Sequence, residues 1–282
     1  MKIAFLGTAA ATSYPLAFCQ CDYCKHARSN GGKDIRKRAS IVVNNDLLID
    51  FGPDTVNASL MYNKPLTDIR YILQTHPHSD HFDASHLSTR IPEYMGVNIP
   101  PIEIYGTLQT INKMSEMMRS EGYIKDLLNP EEQARLKAKI TPISLYTPFD
   151  IGNYSITAIP TNHDQSVDSV LYLITEGGKT AFYGTDTDSL SEEVWKYFTD
   201  NHVLLDFVIL DHTYGLDADS GGHLNTNRFI EHIQKLKHGG LLKPDSRILA
   251  THISHEGNPT HDKLSEFAHN NGYEIAFDGL EI

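Results

Sequence analysis

The stretch Thr75-His76-Pro77-His78-Ser79-Asp80-His81 places three imidazoles and one carboxylate within a few residues. It follows the apolar run Tyr71-Ile72-Leu73, which is typical of a short buried strand. His76 and His78 alternate along the chain, so both rings can face one metal ion, and the adjacent Asp80-His81 pair can turn toward a second. A histidine-rich surface loop is the alternative interpretation, but the complete pattern directly after a strand favours a metal site.

Three later residues with metal-binding side chains also follow probable strands. His163 comes after the alternating segment 154–159, Asp186 follows an apolar segment, and His252 follows a probable strand over 247–250. One histidine or aspartate after a strand is a weak signal, because most such residues lie at the surface or cap an element. Several in this order indicate that the ligands gather at one edge of the sheets.

With these residues in this order, the chain resembles the metallo-β-lactamase superfamily. The resemblance implies an α/β (α+β) fold, an αββα sandwich in which two mixed β-sheets face each other with helices on the outer faces. It also implies two metal positions with a shared carboxylate. The ligands implied are His76, His78 and His163 for the first ion, Asp80, His81 and His252 for the second, and Asp186 as the bridge.

All three cysteines of the chain, Cys19, Cys21 and Cys24, fall within one short segment. Disulfide frameworks need an even number of cysteines and wider spacing. A Cys-x-Cys-x-x-Cys pattern can instead supply three thiolates to a tetrahedral zinc and leave a fourth position for a histidine. A redox pair formed by Cys21 and Cys24, or a cluster of free thiols, are the competing interpretations.

The cysteine motif narrows the resemblance further. Together with Thr251-His252-Ile253-Ser254-His255 and the ending 277–282, it resembles the phosphoribosyl cyclic phosphate phosphodiesterases of the carbon–phosphorus lyase pathway. That resemblance implies a structural zinc on the three cysteines, with His223 as the fourth ligand. Pyrroloquinoline quinone biosynthesis protein B shares the cysteine motif and the fold, so a non-catalytic accessory role is a further alternative.

The composition is that of an ordinary soluble globular chain, with 282 residues, 40% of them hydrophobic and 21% charged. No linker divides the sequence, so we expect one domain over 1–282 with a helical insertion around 108–139.

The net charge of −12 argues against nucleic acid or anionic membranes as partners. No stretch approaches the roughly twenty apolar residues of a membrane span, so a cytoplasmic location is expected; a homodimer is left open.

Other segments give more ordinary predictions. The basic run Arg36-Lys37-Arg38 is interpreted as part of a solvated loop rather than a phosphate grip. Helices are expected over 84–94, 190–199 and 225–237.

The function predicted from these observations is hydrolysis of a small phosphate ester, cyclic esters included, by a metal-dependent phosphodiesterase. Two divalent ions (Zn, Mn or Fe) would hold a hydroxide between them, and a third ion, a zinc, would be structural. Asp80 would orient the hydroxide, and the general acid is left open among His212, Tyr214 and His255. The alternatives are hydrolysis of a lactone, a thioester or an RNA 3′ end.

Overall fold

The computed structural model describes residues 1–94, 96–122 and 124–282, and it contains two β-sheets. The first sheet has six strands in sequence order. Its first three strands pair antiparallel, and the third to the sixth pair parallel. The strands are β1 (Ile3–Gly7), β2 (Ser40–Val43), β3 (Leu47–Ile49), β4 (Tyr71–Leu73), β5 (Ile102–Thr107) and β6 (Ala138–Ile143).

The second sheet has seven strands, ordered from the last in sequence to the first. They are β7 (Phe149–Ile151), β8 (Tyr154–Pro160), β9 (Val170–Glu176), β10 (Lys179–Gly184), β11 (Leu205–Asp211), β12 (Leu242–Thr251) and β13 (Glu274–Ile275). Strands β8 and β10 both pair antiparallel with β9, and β10, β11 and β12 pair parallel. The carboxyl ends of β8, β10, β11 and β12 therefore meet at one edge.

Helices cover the outer face of each sheet. Helices α2 to α5 pack on the first sheet and α6 to α8 on the second. They are α1 (Asp22–Asn30), α2 (Thr55–Met61), α3 (Ala84–Ser88), α4 (Leu108–Ser120), α5 (Pro130–Leu136), α6 (Glu192–Asp200), α7 (Thr226–His238) and α8 (His261–Asn270). The predicted αββα sandwich is therefore confirmed.

The inner faces of the two sheets form a continuous apolar layer. Phe5 and Ile41 of the first sheet belong to the same buried cluster as Tyr172 and Ile209 of the second. Burial of one such side chain stabilises the fold by roughly 1.5–3 kcal/mol. This packing fixes the two sheets against each other, and with them the positions of the residues at their shared edge.

Two local predictions differ from the structure. The helix expected over 84–94 ends at Ser88, and a separate 3-10 turn covers Pro92–Tyr94. A proline disfavours helical geometry in the residue before it, which accounts for the break before Pro92. The helical segment expected around 108–139 contains α4 and α5, but its last residues are not helical, because α5 ends at Leu136 and β6 begins at Ala138.

Arg36 is buried rather than part of a solvated loop. Its guanidinium donates hydrogen bonds to Thr8 Oγ1 at 2.8 Å and to the carbonyl of Ala276 at 2.6 Å. It also lies 2.9 Å from Nδ1 of His261. The interpretation of the basic run as solvated is therefore wrong for Arg36, which joins the N-terminal and C-terminal segments.

Within the described residues, every helix is too short or too polar to cross a membrane.

Candidate metal centres

The predicted ligands of the histidine–carboxylate centre converge at the carboxyl ends of strands. His76, His78, Asp80 and His81 lie in the turn after β4. The other three ligands follow strands of the second sheet. They are His163 after β8, Asp186 after β10 and His252 after β12.

His76, His78 and His163 form the first group of this centre. Nδ1 of His78 lies 3.0 Å from Nε2 of His76 and 3.3 Å from Nε2 of His163. Oδ2 of Asp186 lies 3.2 Å from Nε2 of His76 and 3.6 Å from that of His163. Three imidazole nitrogens and one carboxylate oxygen thus surround a single position.

The second group consists of Asp80, His81, Asp186 and His252, and all four are buried. Nε2 of His81 lies 2.9 Å from Oδ2 of Asp80 and 3.1 Å from Oδ2 of Asp186. Nε2 of His252 lies 2.6 Å from Oδ1 of Asp186. Asp186 therefore contacts both groups, which is the location that a bridging carboxylate requires.

Three potential ligand atoms of the second group are not satisfied by hydrogen bonds within the protein. His81 Nε2, Asp186 Oδ1 and His252 Nε2 are buried and have no hydrogen-bond partner of acceptable geometry. Buried polar atoms without a partner are costly, and most are satisfied by protein, water or an ion. Nε2 of His252 and Oδ1 of Asp186 lie 2.6 Å apart without hydrogen-bond geometry, and both are atoms that can ligate a cation.

Buried carboxylates and hydroxyls hold the rings from behind. Asp50 accepts from Nδ1 of His81 at 2.7 Å and from the backbone amide and hydroxyl of Thr75 at 2.8 and 2.9 Å. Nδ1 of His252 lies 2.8 Å from the hydroxyl of Thr213. Such partners fix the tautomer and the orientation of a ligating histidine.

Three residues of the centre adopt left-handed backbone conformations, with φ of 64° at Asp50, 61° at Asp186 and 59° at His252. This region is unfavourable for residues other than glycine and recurs at functional sites. Each of the three stands just after a strand, where the chain must turn sharply. Gly52 lies close to the backbone of this turn region, since a Cβ there would lie 2.1 Å from the carbonyl oxygen of Asp80.

The charges of the second group are strongly coupled. Burial opposes a charge on His252, but the Asp186 carboxylate beside it raises the pKa of His252 to about 10. Burial, followed by the nearby His81, lowers the pKa of His76 to about 3. Burial also disfavours the anionic form of Asp186, yet His252 and His81 hold its pKa well below the usual range. A cation entering this centre would displace the protons of His252 and His81, since ligating imidazoles are neutral.

The three cysteines cluster with His255, not with His223. Nδ1 of His255 lies 3.8 Å from Sγ of Cys19 and 3.7 Å from Sγ of Cys21. Three thiols and one imidazole match the donor set of a structural zinc site. The prediction that His223 completes this cluster is therefore wrong, and the prediction of His255 as general acid conflicts with its position beside the thiols.

The cysteine cluster forms at the start of α1. The side chain of Cys21 caps this helix by accepting from the amide of Cys24. The backbone amide of Cys21 donates a hydrogen bond to Sγ of Cys19, and this bond is the main cause that lowers the pKa of the Cys19 thiol. Burial raises the pKa of Cys24 to about 12, and a bound cation would favour its thiolate form.

His223 lies at the histidine–carboxylate centre. Its Nδ1 is 2.7 Å from Oδ2 of Asp211, and its ring stacks on that of His252 with 5.2 Å between centroids. Burial alone would lower the pKa of His223, but the Asp211 carboxylate reverses this and raises it above the ordinary value.

His212 faces away from the centre. Its Nδ1 lies 3.2 Å from Oδ1 of Asn258, and its Nε2 lies 3.0 Å from the hydroxyl of Thr226. Its ring packs against Phe229 in the core under α7. Both nitrogens are therefore occupied inside the protein, and the prediction of His212 as a general acid conflicts with this placement.

A cavity of about 170 Å³ opens onto the centre. Tyr214 lines it, and its ring meets that of His223 edge-on with 5.8 Å between centroids. No lysine or arginine is among the described residues that line this cavity. The lining residues include Ala10, Ala11, Thr12, His78, Asp80, His163, Asp186, Thr213, Tyr214, His223, His252, Ser254, His255 and Glu256.

Sequence reasoning missed the roles of Asp50 and Asp211. Both come at the end of a strand of the sheet edge that carries the ligands, Asp50 after β3 and Asp211 as the last residue of β11. The position of each carboxylate at the end of such a strand is the sequence feature from which its place beside the metal ligands could have been predicted.

A family model described as the beta-lactamase superfamily domain matches residues 45–253. No curated protein shows significant sequence similarity to the chain.

Several solved structures have the same fold. A diphosphatase of the PhnP family has a TM-score of 0.73 at 19% identity, covering 100% of this chain and 96% of that one. Zn(2+)-bound PqqB from Methylobacterium extorquens has a TM-score of 0.71 at 19% identity, covering 100% and 99%. The short form of human tRNase Z has a TM-score of 0.64 at 20% identity, covering 100% and 98%. At such low identity these likenesses concern the fold alone.

Proposed function

Because the chain belongs to the metallo-β-lactamase superfamily, we propose that it is a metal-dependent phosphodiesterase acting on a small phosphate ester. The observation that carries the proposal is the position of Asp186 between two groups of histidines, the second of which has buried ligand atoms without a hydrogen-bond partner. Two similar structures are named for cleaving phosphoryl bonds, a diphosphatase and a tRNase, which supports phosphate esters as the substrate class.

His76, His78 and His163 would hold one divalent ion, Asp80, His81 and His252 a second, and Asp186 would bind both. When bound, such a pair of ions provides a nucleophile from water near neutral pH and stabilises the charge that develops on a phosphoryl group. The cysteine cluster with His255 would hold a third ion, a zinc with a structural role.

His223 is proposed as the general acid, in place of His212 and His255. Oδ2 of Asp211 accepts a hydrogen bond from Nδ1 of His223 at 2.7 Å, and this carboxylate raises the pKa of the ring. The protonated ring then carries a second proton on Nε2, which it can donate. The ring lines the cavity beside His163, with 4.6 Å between their centroids. A leaving alcohol in the cavity would therefore lie near a proton donor. Tyr214, which lines the same cavity, would contact the alcohol portion.

The cavity limits the substrate. Its volume of about 170 Å³ suits a small ester group. Affinity for nucleic acid depends largely on phosphate contacts from lysine and arginine, which are missing among the described lining residues. The negative charge of the substrate would be balanced by bound cations and by His223.

The proposal is tested by measuring the metal content of the purified protein and then its activity on bis-p-nitrophenyl phosphate, cyclic phosphates, a lactone, a thioester and a precursor tRNA. Zn²⁺ and Mn²⁺ are supplied in turn, and an Asp186→Asn variant prepared in parallel is the blank for contaminating hydrolases. We expect turnover of at least one small phosphodiester that depends on the metal and is absent in the variant.

Other outcomes contradict the proposal in distinct ways. Trimming of precursor tRNA without turnover of any small diester would favour an RNA 3′-end hydrolase. Turnover of the lactone or thioester alone would favour another hydrolase of the same fold. Metal binding without any turnover would favour an accessory protein similar to PqqB.

A further inference from the structure

Each of the five histidines of the histidine–carboxylate centre has a polar group beside the ring nitrogen that faces away from the ligand cluster. Four of these contacts are hydrogen bonds, and the fifth, between His78 and Asp164, is an ion-pair contact. Such partners set the tautomer and aim the other nitrogen at the ion. The partners are Thr75 Oγ1 at 3.0 Å for His76, Asp164 Oδ2 at 3.2 Å for His78, Asp50 Oδ2 at 2.7 Å for His81, Gly222 O at 3.0 Å for His163 and Thr213 Oγ1 at 2.8 Å for His252.

His78 is the exception in its surroundings. Its side chain is 36% exposed and that of its partner Asp164 is 34% exposed, whereas both His81 and Asp50 are fully buried. His78 also presents Nδ1 to the cluster, so Nε2 is the nitrogen that Asp164 contacts. The orientation of His78 therefore depends on a surface loop rather than on the core.

This loop, residues 161–169, is held from two sides. Oδ1 of Asp164 accepts from the amide of Ser166 at 2.8 Å, which leaves Oδ2 to face His78. At the other end of the loop, the side-chain oxygen of Gln109 accepts a hydrogen bond from the backbone amide of Asp168. The hydroxyl of Thr110 donates to the backbone carbonyl of Asp168 at 3.3 Å.

Gln109 and Thr110 belong to the first turn of α4. The hydroxyl of Thr107 caps this helix by accepting from the amide of Thr110 at 3.0 Å. The helix thus presents a fixed end to the loop. A chain of contacts runs from the helical segment 108–139 through Asp168 and Asp164 to His78.

We propose that Asp164 is a positioning residue for His78, and that α4, acting through Gln109, holds the loop that carries it. The inference rests on the proposed function only in taking His78 as a metal ligand. It gives the helical segment a role, since the affinity of the first metal position would depend on contacts of α4. The second position, supported by Asp50 from the core, would not depend on them.

The test is a titration of the apoprotein with Zn²⁺ against a chromophoric chelator of known affinity, which reports each dissociation constant without reference to activity. Asp164→Asn keeps the size of the side chain but replaces one acceptor oxygen by a donor. We expect the first position to bind Zn²⁺ about 10–100-fold more weakly and the second to be unchanged. The thermal midpoint of the apoprotein should not move.

Asp168→Asn is the matched control. It makes the same change of charge in the same loop, but the contacts of Asp168 with α4 come from its backbone, so binding should be that of the wild type. Gln109→Ala should weaken the first position in the same direction as Asp164→Asn, and Gln109→Glu, which retains an acceptor oxygen, should restore it.

Wild-type binding of both ions by Asp164→Asn, in a protein whose wild type binds two ions and cleaves a phosphodiester, would overturn this inference and leave the proposed function standing. Equal weakening in Asp164→Asn and Asp168→Asn would also overturn it, because the effect would then be one of loop charge. A wild-type protein that binds no Zn²⁺ outside the cysteine cluster would overturn both.

Discussion

The two candidate metal centres are built in opposite ways. The histidine–carboxylate centre takes its ligands from the turn after β4 and the ends of β8, β10 and β12, so it exists only when both sheets have formed. The cysteine centre takes three ligands from the segment 19–24 and one, His255, from a distant part of the chain. The histidine–carboxylate centre therefore depends on the whole fold, whereas the cysteine centre connects an N-terminal segment to the rest of the protein.

The two centres meet in one short loop. His252 belongs to the histidine–carboxylate centre and His255 to the cysteine centre, and Ser254 between them donates to the carbonyl of Thr213 at 2.8 Å. Asn258 donates to that same carbonyl at 2.8 Å. The cysteine centre can therefore stabilise the loop that carries a ligand of the histidine–carboxylate centre without taking part in the chemistry.

The largest expected effect is that of Asp186→Asn. Asp186 contacts ligands of both metal positions, and a neutral amide cannot offset the charge of two cations. We expect loss of at least one ion and of nearly all phosphodiesterase activity, with zinc retained by the cysteines. Metal analysis of the folded variant together with its rate on bis-p-nitrophenyl phosphate checks this. A variant with the parental rate and both ions would show that Asp186 does not bridge two metals.

The next effect is that of His223→Asn, which removes the proposed proton donor. A general acid contributes about 10²–10⁴-fold, and its loss matters most when the leaving alcohol is weakly acidic. We expect alkyl esters to slow by that factor and p-nitrophenyl esters far less, with metal content unchanged. Equal slowing of both ester classes would argue against the role, and a drop in metal content would make His223 a ligand instead.

A smaller effect is expected for Asp50→Asn. Asp50 accepts from Nδ1 of His81, and changes to such partners typically weaken metal binding about 10–100-fold. Competition with a chelator should show this weakening at the second metal position, while the cysteine centre keeps its zinc. Unchanged affinity would mean that the sheets alone, without Asp50, fix the direction of His81.

The smallest effect on catalysis is expected for Cys21→Ser, which should act on stability. Loss of about 2 kcal/mol would lower the thermal midpoint by roughly 4–8 °C in a chain near this size. The rate per folded molecule should change little, because the thiolates lie outside the proposed chemistry. An unchanged midpoint and zinc content would refute the structural role, and a collapse in rate without unfolding would mean that the two centres are more tightly linked than their geometry indicates.

The fold and the histidine–carboxylate cluster could be predicted from the sequence because the decisive pattern is local. His76, His78, Asp80 and His81 are close in sequence, and the strand before them places all four at a sheet edge. The later ligands could be found because each follows a strand.

The choice between neighbouring residues could not be predicted in the same way. Asp211 and His212 are adjacent at the end of β11, and side chains alternate between the faces of a strand. Asp211 therefore meets His223, and His212 enters the core beside Phe229. The sequence shows both residues, but it does not show which face of β11 is directed toward the histidine–carboxylate centre.

The choice between His223 and His255 depends on the path of the chain after β12. The left-handed conformation of His252 turns the backbone, so that His252 and His255 face different centres. The sequence does not show which residues other than glycine adopt a left-handed conformation. Asp50 and Asp186 of the same centre also adopt it. The assignment of His223 to the cysteines, which the resemblance implied, is therefore an error that only the path of the backbone reveals.

Anomalous diffraction at the zinc absorption edge, from crystals of the protein grown with Zn²⁺, would locate each bound ion and show whether Asp186 lies between two metals. We expect two peaks on either side of the Asp186 carboxylate, one near His78 and one near His252, and a third among Cys19, Cys21, Cys24 and His255. A single peak or none at the Asp186 carboxylate would contradict the claim that this fold builds a two-metal centre there.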